Sequence, residues 1–96
     1  MLSDVPKFVS TPEIRVDCPD EIKFEVVDRA VKHFRATHDV IDVDGVRVLF
    51  GDGWGLIRAS NTQPVLVTRY EARTQDRLAA IQREMEDWLR QQGVTP

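Results

Sequence analysis

A single cysteine, Cys18, in 96 residues leaves no partner for an internal disulfide. Thiols this sparse suit a reducing compartment, with Cys18 a small buried or half-buried group. No run approaches the ~20 apolar residues of a membrane span, and the N-terminus lacks the basic and apolar regions of a signal peptide. The expected setting is the cytoplasm, away from any membrane. Positive charge is short as well: 13 Lys and Arg against 16 Asp and Glu give a formal charge of −3. That balance excludes a sequence-independent grip on nucleic acid, which needs a basic face, so an anion site here has to be locally basic. The two histidines, His33 and His38, stand near one helix end with no Ser or Cys nucleophile signature beside them. Asp17, Asp39, Asp42 and Asp44 are scattered and form no assignable acid/base pair. Asp52 lacks the acidic cluster that a hard cation needs. No catalytic residue and no metal ligand is expected in this chain, and repeats and low-complexity segments are absent.

What is there suits one small domain, which at this length buries about 60 to 65% of the surface its unfolded chain exposes. Residues 1–11 hold Val5, Pro6 and Phe8 without a sustained period and read as an extended lead-in. Ile14 and Val16 alternate with Glu13, Arg15 and Asp17, the period-2 pattern of a half-buried strand. Pro19, Asp20 and Glu21 open a helix to Thr37, with Phe24, Val27, Val31 and Phe34 as its apolar stripe and Ala30 beside it. Lys23, Arg29, Lys32 and Arg35 then fall on the solvated side.

Asp44-Gly45 is the pair favoured in two-residue hairpin loops, which predicts Val43 opposite Val46, Asp42 opposite Arg47 and Ile41 opposite Val48. Ile41, Val43, Val46, Val48 and Phe50 would share one face. Gly51, Asp52, Gly53 and Gly55 form a turn rather than a phosphate cradle, since no helix pattern follows them. Strands at 54–59 and 65–72 come next. Thr74 caps a second helix whose inner face is Leu78, Ile81, Met85, Trp88 and Leu89. Gly93 stops that helix, and the tail 93–96 is expected to fray. The domain proper is expected over 12–92. Strand, helix, four-strand meander and helix imply an α+β fold: two layers, a mainly antiparallel sheet, and both helices on one face.

Between the last two strands lies Arg58, Ala59, Ser60, Asn61, Thr62, Gln63, Pro64. A guanidinium fork, two hydroxyls and an amide suit a cluster of anionic oxygens. The same residues also serve as ordinary turn formers, because Ser, Asn and Thr bond nearby backbone and Pro64 ends the loop. Residue chemistry alone leaves both readings open.

The run Gly53-Trp54-Gly55-Leu56-Ile57-Arg58-Ala59-Ser60-Asn61-Thr62-Gln63-Pro64-Val65-Leu66-Val67 resembles the phosphate-binding loop of the bacterial phosphomannomutase/phosphoglucomutases, of the α-D-phosphohexomutase superfamily. The likeness continues through Ser10-Thr11-Pro12-Glu13, Lys23-Phe24, Asp44-Gly45-Val46-Arg47 and Arg69-Tyr70-Glu71, and so covers nearly the whole chain. It implies the fourth, C-terminal domain of such an enzyme, with a TATA-binding-protein-like fold and no DNA role. Residues 1–11 would then resemble the hinge from the third domain. The resemblance further implies a phosphoserine and Mg2+ in other domains, a hexose 1,6-bisphosphate intermediate, and a hexose phosphate held here by Arg58, Ser60, Asn61 and Thr62. Gln63 departs from the frequent second Thr of the family, and Arg69 matches a family Arg yet equally suits an outward strand charge. The chain alone is expected to be inactive, its partners being the substrate and the enzyme's other domains. The alternative is a free-standing phosphosugar-binding or protein-interaction module, and the length of the encoding reading frame separates the two.

Overall fold

The structure, a computed structural model, describes residues 8–43 and 45–96. Its elements are β1 (Val9–Ser10), β2 (Ile14–Asp17), α1 (Lys23–Arg35), β3 (Asp39–Ile41), β4 (Val46–Leu49), β5 (Gly53–Ala59), β6 (Val65–Ala72) and α2 (Gln75–Gln91). All strand pairings are antiparallel in one sheet of order β1-β6-β5-β4-β3, and β2 also lies along β6. This is the expected two-layer α+β architecture. Its core lies where Val16, Val46, Val48, Ile57, Leu66 and Tyr70 of the sheet meet Val26, Ala30 and Phe34 of α1 and Ile81, Met85 and Leu89 of α2.

Helix α2 follows its sequence signals. The Thr74 hydroxyl accepts the Arg77 backbone N–H at 3.1 Å, satisfying one orphan donor of the first turn. Leu78, Ile81, Met85, Trp88 and Leu89 are all buried. The helix settles close on β5 because Gly55 has no side chain there: a Cβ would run into the Met85 sulfur. At the far end Gly93 takes φ +84°, and its N–H and that of Val94 donate to the carbonyls of Arg90 and Leu89 at 3.0 and 3.1 Å. That double bond pattern is a Schellman cap, and it folds Val94 back into the core at 2% exposure. The expected fraying after Gly93 is thus corrected at Val94.

Of the extended lead-in, residues 1–7 lie outside the described residues, while Val9 and Ser10 lie along β6 opposite Ala72 and Glu71. Two other expectations shift. In α1 the inner positions are Lys23, Val26, Ala30 and Phe34, while Phe24 is 57% exposed. The buried stripe is therefore rotated from the expected one, because Val26, Ala30 and Phe34 at spacings of four face the sheet and Lys23 finds partners inside. The β3-β4 hairpin slips by one residue: Ile41 pairs with Arg47 and Val40 with Val48. A slip of one exchanges the faces, so Val40 packs against the core while Ile41 and Val43 are exposed. Asp42 instead meets Arg35 at 3.1 Å, and Arg47 stacks over Trp54 at 4.6 Å on the open face. Asp44, at the expected turn, lies outside the described residues.

On the inner face of β6, burial pushes the Tyr70 phenol up to about 12, the Thr68 hydroxyl draws it partly back, and Glu86 adds a small upward push. Among the described residues, neither hydroxyl makes a well-formed hydrogen bond.

Candidate functional site

Arg58 is the penultimate residue of β5, and its ladder partner is Val67. The turn that follows is closed by backbone bonds, Ser60 N–H to Val65 O at 3.1 Å and Val65 N–H to Gln63 O at 2.8 Å. Inside it, the Ser60 hydroxyl oxygen accepts the N–H groups of Thr62 and Gln63 at 3.3 and 3.2 Å. Both readings of this stretch thus meet in one residue. Ser60 forms the turn with its lone pairs, and its O–H proton remains to be donated elsewhere.

The other side of the turn is tied to the body of the domain. Cys18 N–H donates to Pro64 O at 2.9 Å, and the Lys23 ammonium donates to Gln63 O at 2.9 Å. Asp20 stands 2.8 Å from the same ammonium. Burial pushes the Cys18 thiol up, partly offset by the Lys23 charge, so at neutral pH it stays a protonated and inert group.

At the end of the sheet a concavity of about 310 Å³ is lined by Arg58, Ala59, Ser60 and Asn61 together with Gly45, Phe24 and Val27. Gly45 is needed there twice over. Its φ is +118°, and a Cβ would sit 2.7 Å from Ile57 O and 3.1 Å from the Arg58 Cα. Gly45, just ahead of Val46 opposite Ile57, therefore lies directly against the backbone that carries Arg58. The guanidinium side chain is 45% exposed, and the nearest carboxylate among the described residues, Glu13, is 3.7 Å away, beyond hydrogen-bond reach.

Of the four residues expected to hold phosphate, Arg58, Ser60 and Asn61 line this concavity. Thr62 is exposed in the loop, its N–H held by Ser60. Arg69 is exposed opposite Leu56, on the same face of the sheet as Arg58 and two residues along β6 from its ladder partner Val67, though it does not itself line the concavity. Gln63 contributes a carbonyl to Lys23. Lys23, Phe24 and Gly45 escaped sequence reasoning as parts of this corner; the glycine of a turn and a lysine in a helical first turn show their partners only once the chain is folded.

Elsewhere, His33 stacks on Trp88 at 5.4 Å, and the His38 ring shares a 2.8 Å hydrogen bond with Thr37. Among the described residues no group of three His, Cys, Asp or Glu side chains can hold a metal ion. None of the described helices is long and apolar enough to cross a membrane.

The chain is similar to known proteins. The family described as phosphoglucomutase/phosphomannomutase, C-terminal domain, matches residues 13–87. A phosphoglucomutase of Neisseria meningitidis serogroup B is 41% identical over 87 residues, covering 88% of this chain and 19% of the relative. A phosphomannomutase/phosphoglucomutase of Pseudomonas putida is 46% identical over 77 residues, covering 79% and 17%. A solved phosphoglucomutase/phosphomannomutase family protein from Burkholderia thailandensis superposes with a TM-score of 0.68 at 36% identity, over 92% of this chain and 18% of that one. The chain thus spans under a fifth of the length of these relatives. The chain belongs to the phosphoglucomutase/phosphomannomutase family, and it is the C-terminal domain of that family.

Proposed function

We propose that this domain binds the phosphate of a hexose phosphate for a phosphomannomutase/phosphoglucomutase, an isomerase working by intramolecular phosphotransfer. The observation that carries the reading is Arg58: a half-exposed guanidinium with, among the described residues, one loose carboxylate neighbour, on a concavity shared with Ser60 and Asn61. A planar fork of N–H donors matches two phosphate oxygens, while the Ser60 hydroxyl, the Asn61 amide and, from the rim, Thr62 supply neutral donors. Glu13 is displaced as the anion arrives. Positioning and charge compensation are most of what phosphoryl transfer asks of its protein, and this loop supplies both. The nucleophile and the metal site belong to other domains of the same enzyme, whose presence the short coverage of the relatives supports. A cytoplasmic setting fits the lone buried thiol of Cys18.

The test is kinetic. In the multidomain enzyme, Arg58→Ala should lower kcat/KM about 10- to 150-fold, the value of a charge-assisted bond in a closed cleft. Lys32, fully on the solvated side of α1 and 3.5 Å from Asp28, provides the control, since Lys32→Ala should leave kcat/KM unchanged. An Arg58→Ala enzyme with wild-type kinetics would return the loop to the status of a polar turn.

A further inference from the structure

We propose that Lys23 is the positioning residue of this anion site, its buried ammonium holding the loop in shape before any ligand arrives; the inference rests on the phosphate-binding reading above and deepens it. A lysine in the first turn of a surface helix ordinarily sends its charge to water along a flexible stem. Lys23 does the reverse and is only 4% exposed. A buried ammonium persists only where its donors are used. Here they are directed to Gln63 O at 2.9 Å and Asp20 Oδ1 at 2.8 Å, with the ammonium over the Phe24 ring at 5.2 Å from its centre.

The Gln63 bond joins residues 40 apart in sequence, so it ties α1 to the loop rather than stabilising the helix itself. Together with Cys18 N–H on Pro64 O, it occupies two consecutive carbonyl oxygens of the loop. Those are the groups that would repel an anion if the loop turned over. Asp20 neutralises most of the ammonium's distant field, so Lys23 acts on the anion through the order of the loop. A loop that is competent only part of the time binds more weakly by that fraction.

The experiment uses the isotope-labelled 96-residue chain and inorganic phosphate. In the wild type without phosphate, amides of residues 60–63 should show order parameters close to those of β5 and β6, about 0.85. In Lys23→Met, which keeps the apolar stem, these four should fall below about 0.6 while the strands keep theirs. Phosphate affinity should weaken about 5- to 10-fold. Lys23→Arg, which retains a charged donor, should restore both readouts. Unchanged loop order and affinity in Lys23→Met would overturn the proposal. So would a wild-type loop already below about 0.6, a result that decides the matter even if Lys23→Met does not fold. A wild-type chain whose signals at 58–62 ignore phosphate defeats the phosphate reading itself, and that outcome is read without any Lys23 variant.

Discussion

Strand β5 is bounded by two polar turns, and they treat charge in opposite ways. At its start, Asp52 is clamped by Arg77 of α2, with Nε 2.6 Å from one carboxylate oxygen and an amino nitrogen 3.3 Å from the other. Its own backbone carbonyl accepts the N–H of Arg73 at 3.1 Å. At its end, Arg58 has, among the described residues, only Glu13 at 3.7 Å, although the loop that follows it is held at Gln63 and Pro64 by Lys23 and Cys18. One end spends its charge within the fold. The other holds its backbone firmly and leaves its charge available, the combination expected of a site prepared for a ligand.

The largest effect that separates the two ends should come from their glycines. Gly45 and Gly51 both have positive φ, +118° and +88°, but a Cβ on Gly45 would strike the backbone of Ile57 and Arg58, whereas one on Gly51 meets nothing within 4 Å. Gly45→Ala should therefore cost about 2 to 3 kcal/mol and Gly51→Ala about 1 kcal/mol in urea unfolding. Gly45→Ala should also displace the amide signals of Arg58 and Ser60. Equal costs would mean that Gly45 does not lie against β5 as described.

A smaller effect belongs to the satisfied end. The hydrogen bond from Arg77, with a lesser pull from the charges of Arg77 and Arg73, holds the Asp52 carboxyl below its ordinary value of 3.8. A carboxylate depressed in the folded state stabilises the fold above its unfolded pKa, and that contribution is lost as pH falls through the depressed value. The effect should begin to fade below about pH 4. Arg77→Met should bring the Asp52 midpoint, followed by carboxyl-carbon NMR, back toward 3.8. An unmoved midpoint would show that the clamp does not persist in solution.

The same contrast explains what the sequence could reveal. Helix α2 was legible because its signals are local: Thr74, a regular apolar stripe and Gly93 each act within a few residues. The order of elements and the polar loop were legible for the same reason. The slip of the β3-β4 hairpin was not, since Asp44-Gly45 favours a tight turn by itself while the packing of Gly45 on Arg58 and the pull of Arg35 on Asp42 are made only in the folded chain. Lys23 was misplaced for a related reason. Its helix position allowed two faces, and the carbonyl that decides between them belongs to Gln63.

The central claim, that one end of β5 is spent and the other free, is tested most directly by titrating inorganic phosphate into the labelled chain and reading both ends at once. The account predicts weak binding, about millimolar or worse, that moves the signals of residues 58 to 62, fades with added salt, and leaves residues 51 to 53 and Arg77 where they were. Shifts shared equally by the two turns, or confined to Asp52 and Arg77, would contradict it.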